Sequence, residues 1–455
     1  MRALLINPNI HDFSAFDFWM KPLGLLYLAA LLRENGHEVD LIDCMDPWHP
    51  GIPLDGELRV PVRRHTGRGK FPFQVIPKPE PIAFARRKYR RFGISPRMLR
   101  DELLRKHPPD AVFVTSMMTY WYPGVFESIR SVREVFPGAP VILGGVYASL
   151  CTSHAVSRSG ADFVLPGGCE AVPSFLEKTF GFPPLCIPNA NDPDTFPYPA
   201  FDLLSRLEQV PILSSHGCRF RCTYCASHLL RKKFLVRDPA RTADEIEFWR
   251  RKFGVREFSF YDDGFLAEAE SSAIPLLREI IRRKLDCFFH TPNGLHARWL
   301  TAEAASLMFR AGFRTVRLGF ETSDSERQAA TGGKVRSEEL REAIARLRES
   351  GFREMDIGVY ILCGLPGQEF AEIKESLEFV RSCGGRPYLT EFSPIPGTAI
   401  WKDCIAASSL DIEREPLFHN NTLLPCRDAS LTEESFQHLK IYSRTPPEVG
   451  ACQEA

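Results

Sequence analysis

The chain has 455 residues, its 57 basic and 57 acidic side chains cancel, and 44% of it is hydrophobic against 25% charged. That length suggests about two or three domains, each able to bury its own core, and the composition excludes a disordered chain. Balanced charge gives no global field toward nucleic acid or an anionic membrane. The longest apolar helical stretch, Leu23 to Leu32, is well short of a membrane span, and Met1 to Pro8 is too brief for a signal-peptide core. Thirteen scattered cysteines, an odd number, argue against a disulfide framework and fit a reducing cytoplasm.

Arg2 to Asn7 has the apolar run of a buried strand, and Leu23 to Asn35 has helical spacing that ends at Gly36. Glu38 to Asp43, Ala111 to Ser116, Val141 to Gly145 and Phe163 to Gly167 supply further strands. Amphipathic stretches at Gly124 to Phe136, Tyr147 to Ser159 and Glu170 to Phe180 lie between them. Strands separated by helices predict an α/β, doubly wound, Rossmann-like domain with a parallel sheet over residues 1–185. Residues 47–109 interrupt it with a proline-rich insert carrying basic clusters at Arg63-Arg64 and from Arg86 to Arg91. Those clusters read as a solvated helix face over the sheet edge. A second proline-rich stretch, Pro183 to Pro199, has no period and predicts a linker over 186–204.

Beyond it, apolar runs at Pro211 to Ser215, Phe258 to Asp262, Cys287 to Asn293, Thr315 to Glu321, Asp356 to Cys363 and Tyr388 to Ser393 alternate with helical segments. Those helices are Thr242 to Lys252, Ser272 to Lys284, Ala302 to Ala311, Ser337 to Ser350 and Phe370 to Ser382. This predicts strand-helix units over residues 205–400 with an active side at the carboxyl ends of the strands. Residues 401–455 form an extension with a short helix starting near Thr432, expected to cover the barrel mouth or the domain interface.

At the end of the first of these strands stand Cys218, Cys222 and Cys225, a Cys-x3-Cys-x2-Cys triplet with Tyr224 just before the last cysteine. Structural zinc takes four ligands, usually as paired short-spaced couples, and only His216 and His228 lie near as a fourth. A four-iron cluster normally takes four thiolates. A loop offering three therefore suits a cluster whose open iron also binds a small molecule.

The triplet resembles the signature of the radical S-adenosylmethionine (SAM) superfamily, and the preceding domain is similar to the cobalamin-binding domain of one branch of it. The resemblance implies a partial (β/α)6 barrel, a 4Fe-4S cluster on Cys218, Cys222 and Cys225, and SAM on its open iron. It implies SAM contacts at Tyr224, Asp262, Asp263, Asn293, Glu321, Gly364, Pro366 and Pro394. It implies cobalamin contacts at Ser116, Met117, Gly144, Gly145, Tyr147 and Gly167. The Asp-x-His-x-x-Gly motif of many cobalamin domains is missing, so the lower face of a corrin is expected to meet water or the side chains of the 116–124 loop. His154 is read as a surface or packing residue, Cys363 as a small buried residue, and Arg317 and Arg336 as cations paired at the surface rather than clamps for SAM.

The implied activity is reductive cleavage of SAM to a 5′-deoxyadenosyl radical and C-methylation of an unactivated carbon of a small-molecule substrate. The alternatives are a cyclase or rearrangement enzyme with the same cofactors, or a cobalamin or iron-sulfur sensor. The expected partner is an electron donor such as a flavodoxin or ferredoxin.

Overall fold

The computed structural model describes residues 1–63 and 67–444. Strands β1 (Arg2–Asn7), β2 (Glu38–Asp43), β3 (Ala111–Val114), β4 (Val141–Leu143) and β5 (Phe163–Val164) form a parallel sheet in the order β5-β4-β3-β1-β2. Both faces of β1 are covered, as its unbroken apolar run requires. Leu4 and Ile6 pack with Val112, Val114 and the helix Tyr122–Val135 through Val125, Ile129 and Val132. Ala3 and Leu5 pack on the opposite side with Phe113 and the helix Leu23–Glu34 through Leu25, Ala29 and Leu32. The strand order reverses between β1 and β3, which places the ligand crevice of this sheet at their carboxyl ends.

Two local expectations are corrected. Tyr147 to Ser159 is not one helix but two, Val146–Leu150 and Thr152–Arg158. The Thr152 hydroxyl donates to the Ala148 carbonyl and the Ser149 hydroxyl to that of Gly145, local bonds that compete with the helical ladder. The basic cluster of the insert is not a helix face. Arg90–Phe92 is a strand between Ile10–Asp12 and Phe73–Val75, and Arg91 forms an ion pair with Glu127. Tyr89 and Phe92 are buried on either side of these arginines, which anchors the backbone as a strand. Arg64 lies outside the described residues.

The second sheet runs β6 (Gln209–Ile212), β7 (Glu257–Phe260), β8 (Phe288–His290), β9 (Phe313–Glu321), β10 (Ile357–Cys363) and β11 (Arg386–Glu391), parallel and in sequential order. A short strand, Leu295–His296, also pairs with β9. Helices Pro239–Phe253, Ala273–Arg283, Ala302–Ala311, Ser337–Glu349 and Phe370–Ser382 connect the strands in the places expected.

The two halves of the chain are joined by polar contacts, several of them buried. Asp12 is buried and accepts hydrogen bonds from Trp121 Nε1 at 2.8 Å, Asn420 Nδ2 at 2.8 Å and the Phe13 amide at 2.6 Å. His419 Nδ1 lies 2.9 Å from Thr119 Oγ1, and the Tyr122 hydroxyl donates to Glu415 at 3.0 Å. Trp19 stacks on His290 of β8 at 4.0 Å, and Gly67 rests against Gln209 of β6. The segment 415–423 therefore sits at the domain interface, as expected of the extension. Its terminal helix, Glu433–Arg444, packs instead on Phe370–Ser382 and β11 outside the barrel.

Removing one donor from a buried carboxylate leaves it under-solvated. Asn420→Ala is expected to lower unfolding free energy by about 2 kcal/mol, read as a drop in the denaturant midpoint. An unchanged midpoint would show that the contact carries no stability.

Candidate active site

β6 leads into Ser215–His216, which pairs antiparallel with Leu235–Val236 and closes the base of the cysteine loop. Gly217 has φ +76°, and a Cβ there would lie 2.5 Å from the Lys233 carbonyl oxygen, so only glycine fits the turn. The loop is tied down by Thr223 N donating to Thr331 O at 3.2 Å and Ile400 N donating to Thr223 O at 3.0 Å. Phe220 N points at Cys218 Sγ and Ser227 N at Cys225 Sγ, each at 3.4 Å. Burial pushes the Cys218 thiol up to about 11, and the Phe220 amide pulls it back.

Among the described residues no three His, Cys, Asp or Glu side chains converge as ligands of one metal ion. A cubane takes each thiolate on a different iron, whereas structural zinc gathers four ligands at a point. Three thiols on one anchored loop, two of them receiving backbone N–H groups, fit the cluster's donor set.

The strand ends around this loop divide into groups that face it and groups that build it. Asp262 is a builder, contrary to the expectation that it contacts SAM. Its carboxylate accepts from Ser214 N at 3.0 Å, Ser214 Oγ at 2.7 Å and Ser215 Oγ at 2.6 Å. Burial raises its pKa to about 6, and the two serines oppose that shift. These donors occupy mainly Oδ1 of the carboxylate and fix the strand that delivers the cysteines. Asp263 reaches the cavity described below and accepts from the Ser227 hydroxyl. Asn293 also builds, its Nδ2 donating to Tyr261 O at 2.9 Å.

Glu321 follows a register shift in the β9–β10 pairing and stands at φ +73°, a backbone region costly for a side chain. Its carboxylate pairs with Lys334. Tyr224 is half-buried beside that lysine, its ring centroid 5.8 Å from Nζ. The turn after β10 is stiff, with Gly364 at φ +93° donating to Gln368 Oε1 at 2.9 Å and Pro366 O accepting from Arg327 at 3.2 Å. Pro394 is buried in the turn after β11. Arg317, expected to pair at the surface, is 3% exposed in the barrel, its guanidinium 4.4 Å over Tyr388. Cys363 is fully buried in the core, as read.

Between the carboxyl ends of the two sheets lies one cavity of ≈ 590 Å³. Thr115, Gly144, Gly145, Gly167 and Gly168 line it from the first sheet, and Ser215, His216, Gly217, Ser227 and Asp263 from the cysteine-loop side. Leu23, Tyr27, Leu165, Leu229 and Leu230 give it apolar walls. Gly145 is at φ +93° with a would-be Cβ 2.2 Å from the Ser116 carbonyl oxygen, while nothing stands within 4 Å of Gly167's. A bare glycine floor and apolar walls fit a broad, flat macrocycle.

Other expected cobalamin contacts lie elsewhere. Ser116 is buried and its hydroxyl donates to Gly144 O at 2.7 Å, so it holds the glycine turn. With Met117 it lines a separate, water-sized pocket of ≈ 30 Å³ at the β1–β3 switch point. Tyr147 is fully buried, bonded to His154 Nδ1 at 2.6 Å and stacked on Tyr122. The sharp turn at Gly145 aims that first helical turn into the core. His154 is thus a packing residue, as read. Thr119 and Trp121 of the 116–124 loop are committed to the domain interface.

Lys334 and His296 were missed as site residues, and His216, weighed only as a fourth zinc ligand, lines the cavity. The signal for Lys334 was the Gly332-Gly333 pair before it, which brings the chain back against the cysteine loop; a Cβ on Gly332 would lie 3.1 Å from Cys222 Cα. Burial opposes the charge of Lys334, yet Glu321 and Cys222 beside it hold its pKa above the usual lysine value. Lys334→Met leaves the Glu321 carboxylate buried without a cation and is expected to cost about 3 kcal/mol of stability. Chemical denaturation reads that loss, and Lys334→Arg should recover most of it.

Residues 212–380 match the family model described as the radical SAM superfamily. An uncharacterized methyltransferase of Pyrococcus horikoshii is 22% identical over 420 residues, covering 86% of this chain and 79% of the relative. The cytidylyl-2-hydroxyethylphosphonate methyltransferase of Streptomyces wedmorensis is 21% identical over 485 residues, covering 90% and 83%. Among solved structures, the radical SAM methyltransferase TsrM from Kitasatospora setae, with cobalamin and a 4Fe-4S cluster bound, aligns with TM-score 0.63 at 19% identity, covering 90% of this chain and 79% of that one. That likeness shows a common two-sheet fold. The cysteine triplet at the end of the first strand of the second sheet, the six strands in sequential order around it and the family match agree: residues 212–380 of this chain form a radical SAM domain.

Proposed function

We propose that this protein is a cobalamin-dependent radical SAM methyltransferase that methylates an unactivated carbon of a small-molecule substrate. The observation that carries this reading is the single cavity lined both by the glycine turns of the first sheet and by the cysteine-loop side of the barrel. Such a cavity brings the corrin side and the cluster side of the chain to one space, where two cofactors and one substrate can be held in proximity. When bound, SAM on the cluster supplies the 5′-deoxyadenosyl radical and the corrin supplies the methyl group.

The chain's own residues bind and orient. Cys218, Cys222 and Cys225 hold the cluster, Asp263 accepts hydrogen bonds from the SAM ammonium, and Lys334 and Glu321 flank the methionine portion. Gly144, Gly145 and Gly167 let the corrin approach the backbone, and the apolar walls pack against its flat face. An electron donor such as a flavodoxin or ferredoxin serves the cluster in a reducing cytoplasm. The division of labour follows residues 1–185 for the corrin and 205–400 for the radical chemistry.

Anaerobic reconstitution with iron, sulfide and hydroxocobalamin tests this. Cys222→Ala is expected to lose the broad iron-sulfur absorption and keep the corrin. Gly145→Val, whose side chain meets the Ser116 carbonyl, is expected to do the reverse. Turnover should yield 5′-deoxyadenosine and S-adenosylhomocysteine together. Deoxyadenosine alone would favour cyclisation or rearrangement, and a wild-type protein that takes up no corrin would sink the methyl-transfer reading.

A further inference from the structure

We propose that His296 is a positioning residue for the cluster: its imidazole donates a hydrogen bond to the sulfur of Cys218 and raises the cluster's reduction potential. This rests on the radical SAM reading of the cysteine loop and adds to it a side chain outside the loop.

The backbone of His296 is fixed by the barrel. Leu295–His296 pairs in parallel with β9, His296 lying opposite Gly319, two residues before the Glu321 that flanks the site. The ring is held in plane by its neighbours. Phe220, from the cysteine loop itself, stacks on it at 4.9 Å and 25°, and Trp299 lies 4.9 Å away at 55°. Phe220 and Trp299 also contact each other at 4.7 Å, so the imidazole stands in an aromatic clamp. The residue is 5% exposed.

Within that clamp the ring makes one hydrogen-bond contact among the described residues, and the cations Lys334 and Arg298 lie near enough to act on it. Nε2 lies 3.7 Å from Cys218 Sγ, and Nδ1 is buried with no hydrogen-bond partner. Sulfur is large and diffuse, and this separation is in hydrogen-bond range for it. A thiolate bound to iron has lone pairs and no proton, so the contact exists only if Nε2 carries the hydrogen. The tautomer is thereby set by the cysteine.

The three cysteines are not equivalent in this respect. Cys218 receives the Phe220 amide and the imidazole, and Cys225 receives the Ser227 amide. Adding one electron makes the cluster and its thiolates more negative, and a donor aimed at a sulfur stabilises that state more than the oxidised one. Hydrogen bonds to the sulfurs are an established lever on cluster potential. His296 is buried while Cys218, Phe220 and Trp299 are half-buried, so the contact is partly shielded from water and the effect is strengthened accordingly. His296 thus eases the one-electron reduction that must precede every SAM cleavage.

The test uses the reconstituted full-length protein. Titanium(III) citrate supplies electrons, and EPR of the reduced cluster at a series of set potentials gives the midpoint. His296→Phe keeps an aromatic ring in the clamp and removes the donor. It should lower the equilibrium constant for reduction about tenfold, 59 mV for a one-electron couple. His296→Gln returns an N–H to nearly the same place and should recover most of that shift. If His296→Phe fails to hold a cluster, Phe220→Leu, which loosens the clamp and keeps the donor, should give a smaller shift in the same direction. An unchanged midpoint in His296→Phe would overturn the inference, as would equal shifts in the Phe and Gln variants, since those report packing alone. A wild-type protein that forms no cluster would instead remove the parent reading.

Discussion

Parallel sheets put every strand-to-helix loop on one edge, and this chain has two such sheets whose loop-bearing edges must face each other for any shared chemistry. The interface that holds them in place includes buried polar contacts with few alternative partners. Asp12 gathers Trp121, Asn420 and the Phe13 amide, and His419 meets Thr119. These partners come from β1's outgoing loop, the 116–124 loop and the far C-terminal segment. A buried carboxylate with all its donors in place tolerates few alternative arrangements of the segments that supply them. That lock fixes how the segments carrying the two sets of loops meet, and it stands apart from the residues that line the cavity.

Much of this architecture was legible in the sequence because it rests on local patterns. The unbroken apolar run of Arg2–Asn7 and the spacing of Leu23–Glu34 matched their elements closely, and the barrel helices fell within a few residues of their expected places. The basic insert was misread because its information is long-range. Arg90 and Arg91 become a strand only by pairing with Ile10–Asp12, and helical spacing cannot be judged across a contact with a segment about eighty residues away.

The site was legible in its chemistry and less so in its roles. Cys218, Cys222 and Cys225 are defined by spacing, which sequence shows directly. Asp262 and Asp263 are adjacent, and the sequence offers no means of telling which carboxylate is spent on Ser214 and Ser215 and which reaches the cavity. Tyr147 fails for the same reason, since its direction is set by the turn at Gly145. Lys334 and His296 stayed hidden because each reaches the cysteine loop from a distant segment, Lys334 from the turn between helices Ser325–Ala330 and Ser337–Glu349 and His296 from the short strand Leu295–His296.

If the facing edges form one site, two paramagnetic cofactors bound to them must feel each other. The direct measurement is EPR of the full-length protein loaded with both groups and reduced to cob(II)alamin and the one-electron-reduced cluster. Magnetic coupling should broaden or split both signals relative to protein carrying either group alone. Two sharp, independent spectra from doubly loaded protein would contradict a shared cavity.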